Sequence, residues 1–563
     1  MFASSASAAW PPAGFTESSP TTVTQNTTFP TTVTTDVTVD APLPATFAAH
    51  PAACDKLHFL RIRSTGGPAD PSNADKVLIA QPGVLEGASA FYNVGANLVT
   101  RAFSEKGKYV EFWAIDRRPN CLEDLNGLRL AKSTGNPLDL INYYYKSKAY
   151  NGNKFAGFLN PLNDAEWMTD MGMDQTVKDW NQIITRGIPS QSVRQQKVYC
   201  GGHSLGGFIA GAYADWDFDG NNATTADAGY NQCAGFFGLD TIVSADPLIN
   251  SILGTSAGGL TPLLGAIPDG VTALMRAGKF ERWVDVPGVL NPEIMNLLSA
   301  LGAAAQLQPA TESNLIKNLP ANSNVNGAYK FYFSRDLPDY LAQTGIPAIK
   351  WYRFTNQALL STFTDDNAMP LSIVQASTGF YKGGSVTDKD FPIPGSLTTI
   401  PALKQITSIL GGPNLAIPNN SGLFGLGAPL YGWANYNQVG SMTIPKNSDG
   451  QPYTNASKEV TDINDFSRSI GAVPADFVEK YFPIRLTVDS LLGSPGAVHP
   501  EGATAKPVLD ITAGDGPGLG GGSTPPGSPV IPGYNHLDVM TAAPVQNNGQ
   551  PEPVVTSLLD FLY

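Results

Sequence analysis

A chain of 563 residues that is 42% hydrophobic and only 15% charged can bury one large core or two smaller ones, which excludes an intrinsically disordered protein. Its formal net charge of -13, with no lysine or arginine cluster, excludes nucleic acid and anionic lipid as partners held by charge. No uninterrupted apolar stretch approaches the roughly 20 residues that a transmembrane helix needs.

Residues 1 to 50 read as a Thr/Pro-rich N-terminal tail. The Thr-Val alternation within 16 to 47 is also compatible with an edge strand. The opening MFASSASAAW lacks the basic and apolar segments of a signal peptide. It has the alanine-serine texture found after a signal-peptidase cut, so a secreted or periplasmic location is expected, with the signal already removed. Four cysteines permit three pairings. Cys54 with Cys121 is the first expectation, since Cys200 and Cys233 sit on apolar runs that suit buried free thiols.

From residue 51, strand-length apolar runs (KLHFLRIR, DKVLIAQPG, KYVEFWAIDRR) lead to a helical DQTVKDWNQIITRGI and then to the strand QKVYCGG. A helix, IAGAYADW, and a further strand, CAGFFGLDTIV, follow. The pattern returns near the end with the strand KPVLDITAGDGP and the closing helix PVVTSLLDFLY. Such alternation predicts an α/β fold with a mostly parallel sheet covered on both faces by helices. The boundaries are a core over 51–246 and 485–563, interrupted by a mainly helical cap over 247–484. The cap includes NPEIMNLLSALGAAAQL, SRDLPDYLAQTG and TTIPALKQITSILGG. It is expected to lie over the C-terminal edge of the sheet, where ligands of open parallel sheets bind.

Between the strand QKVYCGG and the helix IAGAYADW lies GGHSLGG, residues 201 to 207. Small residues two before and two after Ser204 permit the sharp strand-to-helix turn that exposes a nucleophilic hydroxyl, and the helix N-terminus offers positive dipole to an oxyanion. Over residues 51–246 and 485–563 the chain resembles an α/β-hydrolase of the lipase and esterase kind, in which GHSLGG is a familiar elbow. The resemblance implies the chain order serine, acid, histidine.

Of five histidines, His50 and His58 precede the serine and His203 adjoins it, pointing away from it in an elbow. His499 lies before the last core strand. His536, in GYNHLDVM after that strand, is where the resemblance places the general base. The expected acid is Asp515, at a strand end in PVLDITAGDGP; Asp240, in FFGLDTIV, is its rival. Asp510, Asp489 and Asp538 are weaker candidates, Asp538 more plausibly bracing the histidine loop. The resemblance implies oxyanion donors at the backbone amide of Leu205 and in the loop AQPGVLEG, at Val84 or Leu85. Arg117, Arg118, Glu123 and Asp124 are expected to form ion pairs bracing a loop near the cleft.

DWDFDGNNATTAD carries Asp215, Asp217, Asp219 and Asp227, an alternation that can wrap a structural calcium ion or simply form a solvated acidic turn. No cofactor is required for the expected chemistry. That chemistry is hydrolysis of a hydrophobic carboxylic ester, small, lipid or polymeric, through an acyl-enzyme. An amidase or peptidase with the same residues, and a non-catalytic binding protein on the same fold, are the alternatives.

Overall fold

β-branched and aromatic residues dominate the segments that form the central sheet, and in its middle strands both faces are buried. β4 (Lys76–Gln81), β5 (Val110–Asp116), β6 (Val198–His203) and β7 (Gly235–Leu239) are almost wholly inaccessible to solvent. That pattern belongs to a parallel sheet covered by helices. The computed structural model describes residues 10–20, 28–247, 267–319, 321–343, 345–393, 415–423, 425–493, 496–518 and 527–563.

Among the described residues the sheet has nine strands in the order β1-β2-β3-β5-β4-β6-β7-β13-β14, with β1 (Phe15–Glu17), β2 (Thr32–Asp40), β3 (Lys56–Ser64), β13 (Val508–Ala513) and β14 (Val530–Ile531). From β5 to β14 all neighbours are parallel, while β1, β2 and β3 are joined antiparallel at one side. Phe112 and Trp113 are successive residues of β5 and so point to opposite faces. A Cβ on Gly95 of the helix Tyr92–Lys106 would come within 3.1 Å of Phe112, and one on Gly187 of the helix Met173–Gly187 within 3.0 Å of Trp113. Helices therefore cover both faces, as the alternation of elements predicts, and the strand order gives the chain the α/β-hydrolase fold that the resemblance implies.

Residues 32–40 are part of this sheet, paired with β3 along their whole length. Alternating valines seat Val37 and Val39 in the core and extend the sheet beyond the tail-like composition of this region. Cys54 is bonded to Cys121, and Cys200 to Cys233. The second bond replaces the expected pair of free thiols: Cys200 lies on β6 and Cys233 two residues ahead of β7, the parallel neighbour of β6, both fully buried, with Cα atoms 6.0 Å apart.

The chain between β7 and β13 forms helices such as Pro292–Leu307, Ser323–Tyr332 and Asn356–Thr362. It also forms a three-stranded sheet of β8 (Arg353–Phe354), β12 (Leu430–Asn435) and β9 (Gly379–Lys382), and an antiparallel pair, β10 (Val386–Asp388) with β11 (Ala416–Pro418). The helix expected in TTIPALKQITSILGG lies outside the described residues. This insertion is bonded directly to the loop that follows β4: the Gly87 amide donates to the Phe477 carbonyl at 2.7 Å, and the Glu479 amide to the Leu85 carbonyl at 2.8 Å. Among the described residues, no helix is long and apolar enough to cross a membrane.

Candidate active site

The register of β4, β6, β7 and β13 aligns their C-terminal ends, pairing Gln81 with Gly202, His203 with Leu239, and Leu239 with Ile511. Ser204 follows β6 and opens the helix Leu205–Ala214 with φ 54° and ψ -122°, a conformation that L-residues rarely adopt and that a strand-to-helix elbow imposes. Close approach explains the glycine two residues later: a Cβ on Gly206 would lie 2.1 Å from the Gln81 carbonyl oxygen. The Leu205 amide is in the first helical turn, where N–H groups have no intrahelical acceptor.

His536 is buried, and its Nδ1 lies 2.5 Å from Asp240 Oδ2. Asp240 follows β7 in a left-handed conformation (φ 44°), accepts the Ala513 amide on Oδ1 at 2.9 Å, and is 2% exposed. The carboxylate on the imidazole is thus Asp240, and Asp515 is not brought to it. Asp515 is exposed in the turn after β13, held by its own amide donating to the Tyr534 carbonyl at 2.9 Å. Both aspartates end strands. The physical difference is the left-handed residue, which turns Asp240 inward across the ends of β7 and β13.

The remaining acidic candidates serve elsewhere. Asp510 accepts the Val243 amide, and burial pushes its carboxyl up to about 6. Asp489 accepts the Met173 amide and pairs with Arg485. Asp538 accepts from the Asn535 and Ser377 amides and the Thr461 hydroxyl. His499 packs near Tyr230, its amide on the Asp215 carbonyl.

With Nδ1 on Asp240, His536 has Nε2 free to face a hydroxyl. No hydrogen bond joins it to Ser204 Oγ among the described residues, a contact that in free enzymes often forms only with substrate bound. Beneath it lies an arrangement not anticipated from the sequence. His203 is fully buried with its ring centroid 4.3 Å from that of His536; its Nδ1 is 2.9 Å from Glu86 Oε2, and its Nε2 is 2.9 Å from the His536 carbonyl oxygen. A carbonyl and a carboxylate only accept, so both ring nitrogens donate and His203 is an imidazolium paired with ionised Glu86. Burial opposes that charge, but the Glu86 carboxylate overcomes it and raises the His203 pKa, and the Glu86 pKa falls in turn. His536 is shifted the other way: burial and the His203 charge lower its pKa against the pull of Asp240. The lone glutamate among small and apolar residues in PGVLEGASAF was the available signal.

Arg117 fixes the loop after β4. It pairs with Glu479 and donates to the carbonyls of Pro82 (2.6 Å), Gly83 (2.5 Å) and Glu86 (3.1 Å). In a trans peptide the N–H points opposite to the C=O. The Gly83 carbonyl faces Arg117, so the Val84 amide faces away from it. The Gly83 amide is already taken by Glu86 at 2.6 Å. A Cβ on Gly83 would stand 2.8 Å from Ser204 Cβ, so this loop runs beside the serine. Arg118 pairs instead with Asp179, and Lys480 with Glu123, while Asp124 accepts from Tyr143.

In the acidic loop Asp217, Asp219 and Asp227 converge with oxygens within 4.8 Å of one another, but Asp215 turns away against Gly502. The three are largely engaged by their own turn: Asp217 accepts the Asp219 and Gly220 amides, Asp219 the Asn221 amide, and Asp227 the Phe218 and Asp219 amides. Glu86, His203 and His536 are equally close together, but Glu86 and His203 spend their polar atoms on each other, on the Gly83 amide and on the His536 carbonyl.

No family model matches the chain, and no curated protein does. Among solved structures it is similar to a hypothetical protein from Pseudomonas aeruginosa PAO1, at 11% identity over 90% of this chain and 95% of that one, TM-score 0.29. A lipase in its open form shares 10% identity over 90% and 94% of the two chains, TM-score 0.28. Juvenile hormone epoxide hydrolase from the silkworm Bombyx mori shares 11% over 94% and 78%, TM-score 0.28. Likeness this distant carries no argument about activity, and the fold stated above rests on strand order and register.

Proposed function

We propose that the chain is a serine hydrolase of hydrophobic carboxylic esters, with Ser204 as nucleophile, His536 as general base and then acid, and Asp240 as the acid that orients it. The observation that carries this reading is the strained Ser204 between strand and helix, at the same sheet edge as a buried His536–Asp240 pair. Ser204 Oγ attacks the ester carbonyl as His536 Nε2 takes its proton. The oxyanion is held by the amides of Leu205 and Val84, and the alcohol leaves with the proton returned by His536. Water then repeats the sequence on the acyl-enzyme and releases the acid. No cofactor enters these steps.

A pocket lined by Leu85, Leu297, Leu301, Tyr329, Phe363 and Leu371 adjoins the oxyanion loop and supports an apolar acyl or alcohol group. The two disulfides support an exported location, because such bonds persist in oxidising compartments.

The test is the rate on chromogenic esters of increasing acyl length, with Ser204→Ala as the blank. Turnover lost in the variant supports the reading, and the optimum chain length sizes the pocket. Equal rates in parent and variant, or no turnover of any ester, overturn it and direct attention to amides.

A further inference from the structure

One bulky residue in the loop after β4 departs from the usual backbone. Leu85 has φ 61°, in the left-handed region that glycine enters freely and leucine seldom does. A residue stays there only where its surroundings impose it. The Glu479 amide donates to the Leu85 carbonyl at 2.8 Å, the Gly87 amide donates to the Phe477 carbonyl at 2.7 Å, and Arg117 holds the Pro82 and Glu86 carbonyls. The side chain takes no part in this bonding. It is buried and lines the apolar pocket, together with Ile294, Leu297 and Leu301 of the helix Pro292–Leu307.

The loop and that helix are tied together. Ser299 of the helix donates its hydroxyl to Asp476 Oδ2, the Asp476 carbonyl accepts the Ser89 amide at 3.4 Å, and Phe477 to Glu479 form the short ladder with the loop. Asp476 also accepts from Lys480, whose other partner is Glu123 of the core. On the other side of Leu85 the chain leads straight to the chemistry. Val84 carries the amide assigned above to the oxyanion, and a Cβ on Gly83 would stand 2.8 Å from Ser204 Cβ. The pocket wall and the oxyanion donor are therefore neighbours in the chain, joined through a residue held in a conformation it does not favour.

Resting on the hydrolase reading, we propose that Leu85 determines acyl-chain specificity: an acyl chain long enough to pack against its side chain holds the left-handed turn, and so the Val84 amide, where the oxyanion needs it. A shorter chain leaves the turn without that contact. Packing energy from methylenes remote from the ester is then realised in the transition state, and chain length raises kcat instead of only lowering KM. Among the described residues no charged side chain lines the pocket, so the chain that fits is a plain alkyl one rather than a dicarboxylic or amino acyl group.

The test uses the full chain and p-nitrophenyl esters from acetyl to decanoyl, each below its solubility limit, with kcat and KM taken separately. The readout is kcat on the best acyl length divided by kcat on acetyl, measured on one preparation so that the folded fraction cancels. A ratio of about tenfold is expected for the parent, the worth of roughly two buried methylenes realised in the transition state. Leu85→Gly suits the left-handed turn and removes the contact, and its ratio is expected to fall to about one to two. Leu85→Met still reaches into the pocket and is expected to restore most of the parent's ratio. A parent whose kcat is the same on acetyl and on the best ester, with only KM changing, overturns the proposal without any variant. So does a Leu85→Gly protein that keeps the parent's ratio. Ser204→Ala on the same series separates the two claims: turnover lost there, beside a ratio unchanged in Leu85→Gly, overturns this inference and leaves the hydrolase reading standing, whereas turnover that survives in Ser204→Ala overturns both.

Discussion

Replacing Asp240 by asparagine separates the two strand-end aspartates. Asp240 Oδ1 accepts the Ala513 amide and Oδ2 faces His536 Nδ1, so an asparagine keeps its oxygen on Ala513 and turns its NH2 toward the imidazole. Nδ1 must then accept, which puts the ring proton on Nε2, the nitrogen that should take the proton of Ser204. Loss of the correct tautomer and of the carboxylate that stabilises the imidazolium is expected to lower kcat by about 10^4, or about 5.4 kcal/mol at 1.36 kcal/mol per tenfold. Asp515→Asn alters an exposed turn residue and is expected to stay within about twofold of the parent. The assay is kcat and kcat/KM on the best chromogenic ester, with melting temperatures confirming that both variants are folded. A large loss in Asp515→Asn beside a small one in Asp240→Asn would refute the assignment, whatever the melting temperatures.

His203→Gln removes the buried positive charge beneath His536. Since that charge helps hold the His536 pKa down, the acid limb of kcat/KM against pH is expected to move to higher pH; a limb that stays in place or moves lower would contradict the charge argument. Arg117→Met leaves Glu479 buried without its partner and the Pro82 and Glu86 carbonyls without this donor. A loss of about 3–5 kcal/mol in chemical denaturation is expected, and an unchanged midpoint would show that the loop after β4 does not depend on the arginine.

Local features were the legible ones. The alternation of apolar runs and helical segments is enough to predict the doubly covered sheet, and GGHSLGG shows its own turn because the glycines it needs are neighbours in sequence. His536 emerges from a short list of histidines and their order. The acid is different: Asp240 and Asp515 both end strands, and only the backbone turn at Asp240 decides which reaches the imidazole. The Glu86–His203 pair spans 117 positions and the Asn367–Glu459 contact 92, separations at which one sequence shows no coupling. Their residues carry only a compositional trace, acidic side chains set in apolar stretches such as LLSTFTDDNAMPLS. Residues 32–40 show the opposite case, where threonine-rich composition suggests a tail and the period-two placement of valine makes a strand.

The charges around His536 explain why a base can work from so buried a position. Asp240 alone, 2.5 Å from Nδ1, would favour a protonated imidazole, and Glu86 acts in the same direction. Burial is the larger influence holding the His536 pKa down against these two carboxylates, and the His203 charge is the next. His203 sits between Glu86 and His536 as a cation, so the Glu86 charge is answered locally and His536 meets a nearby positive charge instead. Burial adds its own penalty on a second imidazolium. The resting imidazole is therefore neutral and able to act as a base, while Asp240 remains in contact to stabilise the charge once the proton arrives. On the proposed reading, Glu86 and His203 would influence the pH range of the reaction without touching substrate.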